Sequence, residues 1–156
     1  MTDSLINKYW SEYLLTLSET ERKSRNNFTA EQWGDSDELA DRLSSLIMNG
    51  KKTASCSSLW IYEKENLPVP EKGNYTIVLN SKNEPVCIVE TTDVQIVPFE
   101  KVDESFAILE GEGDLSLEYW RTAHWNFFTR SLGKFDLQPL MNMPLVCEKF
   151  KLVYLS

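Results

Sequence analysis

The residues best equipped for chemistry fall in three short segments. The first is Gly50-Lys51-Lys52-Thr53-Ala54-Ser55-Cys56-Ser57. Two lysines beside a glycine turn can meet an anion such as a phosphate or a carboxylate. On a strand, Thr53, Ser55 and Ser57 share one face and Ala54 and Cys56 the other, because strand side chains alternate. Three small hydroxyls on one face leave room for a ligand and supply hydrogen bonds. The same residues also read as a helix cap, with lysines favourable to the helix dipole, followed by an edge strand. The second segment is Glu110-Gly111-Glu112-Gly113-Asp114. Its three carboxylates can converge, since glycine permits tight backbone paths. Oxygen-only ligands suit Mg²⁺ or Mn²⁺ rather than zinc. Helix capping and loop solubility account for Glu112 and Asp114 equally. The third segment holds Trp120, Arg121, His124 and Phe128. Arg121 and His124 are three apart and face the same way on a helix. Aromatics beside a cation can stack a base and hold a phosphate. The alternative is an aromatic stripe packed into the core.

The elements that must position these residues follow from periodicity and turn chemistry. Leu5, Ile6, Tyr9, Trp10, Tyr13, Leu14 and Leu17 have helical spacing. Ser18-Glu19-Thr20-Glu21 has the form of a capping box that starts a second short helix. The polar run that follows, to Asn27, reads as a surface connector. Asp35, with Glu38 three residues on, is the expected N-cap of a third helix, which Asn49-Gly50 stops. Residues 53–62 read as a strand. Residues 75–79 and 86–97 form a hairpin. A short helix is expected over 102–109, a loop over 110–114 with Asp114 capping the next helix, and a closing strand over 145–155. Helices thus flank a mostly antiparallel set of four to six strands, and a small curled sheet or partly closed barrel deals with exposed edges.

Composition bounds the function classes. The chain has 156 residues, one histidine, three cysteines and a net charge of -8. This length fits one domain, residues 1–156, with a helical part over 1–49 and a barrel core over 50–156. An acidic chain argues against duplex DNA as a partner, because that affinity comes from neutralising phosphates. It leaves room for a local pocket that takes a short single strand or one nucleotide. No stretch approaches the roughly 20 apolar residues that span a bilayer. The residues Met1 to Ser4 lack the basic-then-apolar pattern of a secretory signal. Cys56, Cys87 and Cys147 are widely spaced and form no CxxC pair, so a reducing cytoplasm is the expected setting.

Taken together, the segments resemble the ASCH domain family, which shares the PUA-like fold. The resemblance is to the longer bacterial form and covers nearly the whole chain. It rests on Trp33-Gly34-Asp35, Gly50 to Ala54, the hairpin, Phe106-Ala107 with Glu110 to Asp114, Trp120-Arg121 with His124, and Cys147-Glu148-Lys149-Phe150. It implies an α+β fold, a small mostly antiparallel β-barrel flanked by helices, with a cleft for RNA or a nucleoside. Some members hydrolyse RNA with divalent-metal dependence. Small members remove the acetyl group from N4-acetylcytidine. In those, the functional lysine, threonine and glutamate correspond to Lys52, Ser55 and Glu110 here. An arginine of the small members is replaced by Ser57.

The resemblance implies three functional expectations. The first is a hydrolase of single-stranded RNA. In it Lys51, Lys52 and Arg121 would stabilise phosphoryl charge, Glu110, Glu112 and Asp114 would hold Mg²⁺ or Mn²⁺, and His124 would shuttle a proton. The second is an N4-acetylcytidine amidohydrolase. There Ser55 attacks, Lys52 accepts its proton, and Glu110 holds the lysine or activates water. The third is a binder without catalysis, in which Lys51, Thr53, Ser57, Trp120, Arg121 and His124 contact an RNA or a modified nucleoside. No organic cofactor is expected. Lys52→Ala is expected to abolish activity while leaving the melting temperature within a few degrees.

Overall fold

In the computed structural model, which describes residues 2–155, six helices surround one five-stranded sheet. Chain order is α1 (Thr2–Leu15), α2 (Glu19–Ser24), β1 (Thr29–Gln32), α3 (Asp37–Met48), β2 (Ala54–Ser58), α4 (Leu59–Glu65), β3 (Tyr75–Leu79), β4 (Pro85–Pro98), α5 (Glu104–Glu110), α6 (Leu117–Gly133) and β5 (Pro144–Leu155). Residues 1 and 156 of the expected domain lie outside the described residues. The strand order is β1-β3-β4-β5-β2. Only β1 with β3 is parallel; the other pairs are antiparallel. The long strands β4 and β5 break register between Ile88 and Val89 and between Thr91 and Asp93. Such bulges bend strands, and the sheet curls into a half-barrel.

The hairpin is buried on both faces, and its apolar run is continuous for that reason. Ile77, Leu79 and Ile88 pack against Tyr9, Trp10 and Tyr13 of α1. Val78, Cys87 and Val89 face the opposite way, onto Ile47 of α3 and Phe150. A third cluster joins Phe99, Trp120, Phe128, Leu132 and Leu145 beneath α6.

Several expected boundaries move. The Ser18 capping box forms, with Glu21 completing it, and the helix it starts takes in residues 21–24 of the expected connector. Ser36, not Asp35, caps α3 by accepting the Leu39 N–H at 3.1 Å. Likewise Ser116, not Asp114, caps α6. The strand expected over 53–62 ends at Ser58, and 59–65 is helix. The aromatic and β-branched content of Leu59-Trp60-Ile61-Tyr62 imitates a strand; here Trp60 and Ile61 pack against the α6 cluster instead. A strand also appears before residue 50, where only helices were expected. It is β1, a four-residue edge strand with little burial and therefore no alternation to read.

Candidate functional site

Two helix ends bring the central residues together. At the end of α3, Gly50 takes φ +79°. Its N–H donates to the Ile47 carbonyl, and the Lys51 and Lys52 N–H groups both donate to that of Leu46. This is the six-to-one closure of a Schellman motif, and it turns Lys52 inward. At the end of α5, Gly111 takes φ +74°, and a Cβ there would lie 2.2 Å from the Lys51 carbonyl oxygen. Only glycine allows that approach, which sets Glu110 against Lys52. Thr53 completes the junction: its N–H donates to the Leu109 carbonyl at 2.8 Å and its own carbonyl accepts from Phe150.

Glu110 is the hub. It is 1% exposed, as buried as its Lys52 partner at 2%. Its Oε1 accepts from the Lys52 ammonium at 2.8 Å. Its Oε2 accepts from the Trp120 indole at 2.5 Å, the His124 Nε2 at 2.9 Å and the Cys56 thiol at 3.5 Å. Lys52 also reaches the Glu110 carbonyl and Glu112 Oε2, each at 3.4 Å. The His124 Nδ1 lies 2.9 Å from the Trp120 carbonyl, and the two rings stack at 4.3 Å. A carbonyl and a carboxylate only accept, so both ring nitrogens of His124 carry protons and the ring is an imidazolium.

The electrostatics agree with this geometry. Burial alone would lower the Lys52 pKa, yet Glu110 and Glu112 outweigh it and hold the ammonium charged. The same contest in His124, with burial opposing and Glu110 favouring the charge, raises its pKa. Glu110 pays a burial penalty, but Lys52 and His124 keep it ionised far below the usual carboxylate range. Two cations and two carboxylates, Lys52, His124, Glu110 and Glu112, therefore balance. Burial, then Glu110, pushes the Cys56 thiol well up.

This cluster forms part of the wall of a cleft of about 630 Å³. Ser55, Cys56, Ser57 and Ser58 all line it, from both faces of β2 at the edge of the sheet. Trp33, Tyr62, Glu31 and Glu148 line it too, and none was singled out as a site residue from sequence. Glu148 is pushed up to about 7, by burial first and by Glu31 second. Its place on the same strand face as the apolar Phe150 was the available signal; without knowing the partner strand, it reads as a solvated glutamate.

The other expected site residues disperse. Lys51 is exposed and lines a separate hollow with Gly111 and Tyr119. Thr53 ties α5 to β2 rather than lining the cleft. Trp120, 2% exposed and committed to Glu110, offers no face for a base. The Arg121 guanidinium donates to the Glu100 carbonyl at 3.4 Å, and Arg121 is not among the cleft residues. Asp114 turns to the Ser116 N–H at 2.9 Å, while Glu112 turns to Lys52. Of the carboxylates expected to hold a metal, Glu110 and Glu112 meet at the Lys52 ammonium and Asp114 lies apart. Among the described residues, one group of three brings metal-type ligand atoms within 4.8 Å: Cys56, Glu110 and His124. There the Lys52 ammonium sits on one carboxylate oxygen and three donors share the other. These residues do not fit Mg²⁺ or Mn²⁺, which demand free oxygen ligands.

The family model for the ASCH domain matches residues 29–154. The chain belongs to the ASCH domain family. Its fold is similar to that of an ASCH domain from Lactobacillus crispatus JV V101, with TM-score 0.91 and 34% identity, covering 95% of this chain and 93% of that one. It is also similar to protein EF3133 from Enterococcus faecalis V583, with TM-score 0.85 and 37% identity, covering 99% and 91%. No curated protein matches the chain. The Lys52–Glu110 pair thus sits in the cleft of an ASCH domain, and among the described residues no helix is long and apolar enough to cross a membrane.

Proposed function

We propose that this ASCH domain binds one nucleoside, free or as an unstacked base of single-stranded RNA, and hydrolyses an amide on it, as in N4-acetylcytidine. The observation that carries this reading is the sharing of one cleft by the Ser55 hydroxyl and the buried Lys52–Glu110 pair. The cleft volume of about 630 Å³ is within the usual range for small-ligand sites. Ser55 is the nucleophile. Lys52 cannot serve as its resting base, because the lysine is charged and its donors face Glu110 and Glu112. Its role is that of a fixed cation: as negative charge develops on the acyl oxygen, the long 3.4 Å bond to Glu112 is exchanged for that oxygen. Glu110 holds the ammonium in place and balances its charge, and His124 fixes the other oxygen of that carboxylate.

The geometry supports hydrolysis of the RNA backbone less well. The cations that would stabilise a phosphoryl group, Lys51, Lys52 and Arg121, lie in three different places. The cleft itself carries five carboxylates, Glu31, Glu65, Glu110, Glu112 and Glu148, against Arg42, Lys52, His124 and Arg130. That balance leaves no net positive charge to hold a polyanion. Incubation with N4-acetylcytidine and with single-stranded RNA, each with and without chelator, tests the choice by mass spectrometry of products. Acetate and cytidine, released regardless of chelator, are expected; RNA fragments with intact acetylcytidine contradict it. Binding of N4-acetylcytidine and of RNA without any product supports a non-enzymatic reader.

A further inference from the structure

Among the titratable cleft residues that the proposed chemistry has not used, Glu148 is the one paired with Ser55 across the sheet. It stands directly opposite Ser55 in the β2–β5 ladder, where Cα partners put their side chains on the same face. Both residues line the cleft. Thr91 lies close enough to the Glu148 carboxylate to favour its charged form. Thr91 is itself 3% exposed and lies at the β4 bulge, a device that re-aims side chains beside active sites.

We propose that Glu148 is the general base that activates Ser55. This rests on the amidohydrolase reading above and supplies the proton acceptor that Lys52 cannot be. In the first half, Ser55 Oγ bonds to the acyl carbon as its proton passes to a Glu148 oxygen. The carbonyl electron pair moves onto the acyl oxygen beside Lys52. When the tetrahedral intermediate collapses, the C–N bond breaks and the departing amine takes the proton from Glu148. In the second half, water attacks the Ser55 ester and gives its proton to Glu148, which returns it to the leaving Ser55 oxygen. Amide and water become amine and carboxylic acid, with Glu148 regenerated.

The surroundings favour this role. Facing Glu148 are Ser55 and Lys52 from the β2 side, Glu31 from β1, Thr91 from β4 and Tyr62 from α4. Burial and the like charge of Glu31 outweigh the opposing influence of Thr91 and the more weakly acting Lys52, and the carboxyl is raised to about 7. A base poised near neutrality couples availability to strength, which is where general-base catalysis is most effective.

The test uses the full chain and N4-acetylcytidine. Wild-type kcat/KM is expected to rise about tenfold per pH unit up to about pH 7 and then level off. E148Q is expected to lose about 100-fold or more at pH 8 and to lose that limb. Its Kd for cytidine, read by calorimetry, should stay within about threefold of wild type, which separates a chemical role from a structural one. E148D should recover part of the rate. E148Q with an acid limb and near-wild-type rate, while wild type releases acetate, overturns the base assignment and leaves the amidohydrolase reading standing. A wild-type protein that releases no acetate overturns both.

Discussion

Lys52 and Glu110 exemplify a buried pair whose partners are safe only together. Breaking such a pair leaves an uncompensated charge in the interior. Lys52→Met should therefore destabilise the protein by about 3 kcal/mol or more in denaturant melts, which corrects the expectation of a nearly unchanged melting temperature. What sequence alone could not show is that Lys52 is only 2% exposed. Loss of activity in Lys52→Met must be read against this loss of fold stability. Glu148 behaves oppositely. Its carboxyl is raised from 4.5 to about 7 in the folded state. The folded chain binds the proton more tightly, so this stabilisation is complete below about pH 4.5 and lost as pH rises through about 7. The shift corresponds to an upper figure of about 3 kcal/mol. Glu148→Gln should accordingly raise the melting temperature at pH 8 and not at pH 4.5. An equal change at both pH values would show that the carboxyl is not raised. The roles of Ser55 and Glu110 as candidates were legible from their setting, whereas Glu148 became visible only once the register placed it across from Ser55.

At the scale of elements, the α3 and α5 termini do the positioning. Gly111 is the point of closest approach, since a Cβ there would meet backbone rather than a yielding side chain. Gly111→Ala should cost several kcal/mol, about 3 or more, through left-handed strain and the clash with Lys51. It should also separate Glu110 from Lys52. A variant with wild-type melting and wild-type activity would contradict the account of this junction. The glycines around Glu112 were read from sequence as allowing carboxylates to converge. The one at 111 serves a helix end, and Glu110 and Glu112 meet at Lys52 while Asp114 turns away to Ser116. Long elements with burial on one or both faces were legible: α1, α3, the hairpin and β5 all fall close to their expected spans. Short ones were not. Helix α4 carries strand-like residues, and β1 is an exposed edge of four residues, so neither leaves a periodic trace.

At the scale of the whole molecule, the acidic charge and the acid-rich cleft point the same way. A net charge of -8 and scattered surface cations offer no track for a phosphate backbone. Binding of cytidine should therefore change less than about twofold between 50 and 200 mM salt, since no phosphate contact releases counterions. A steep fall over that range would point to a phosphate site. The α+β half-barrel was readable because local patterns and family resemblance agreed; the cleft was not, because it is assembled from β1, α3, β2, α4, α5, α6 and β5, whose mutual placement no local pattern encodes. The most direct measurement is acetate release from N4-acetylcytidine by the wild-type protein and by Ser55→Ala in the presence of chelator. The account predicts turnover by the wild type and a loss of about 100-fold or more in the variant. Equal rates in the two proteins, or release that stops when divalent ions are removed, would contradict it.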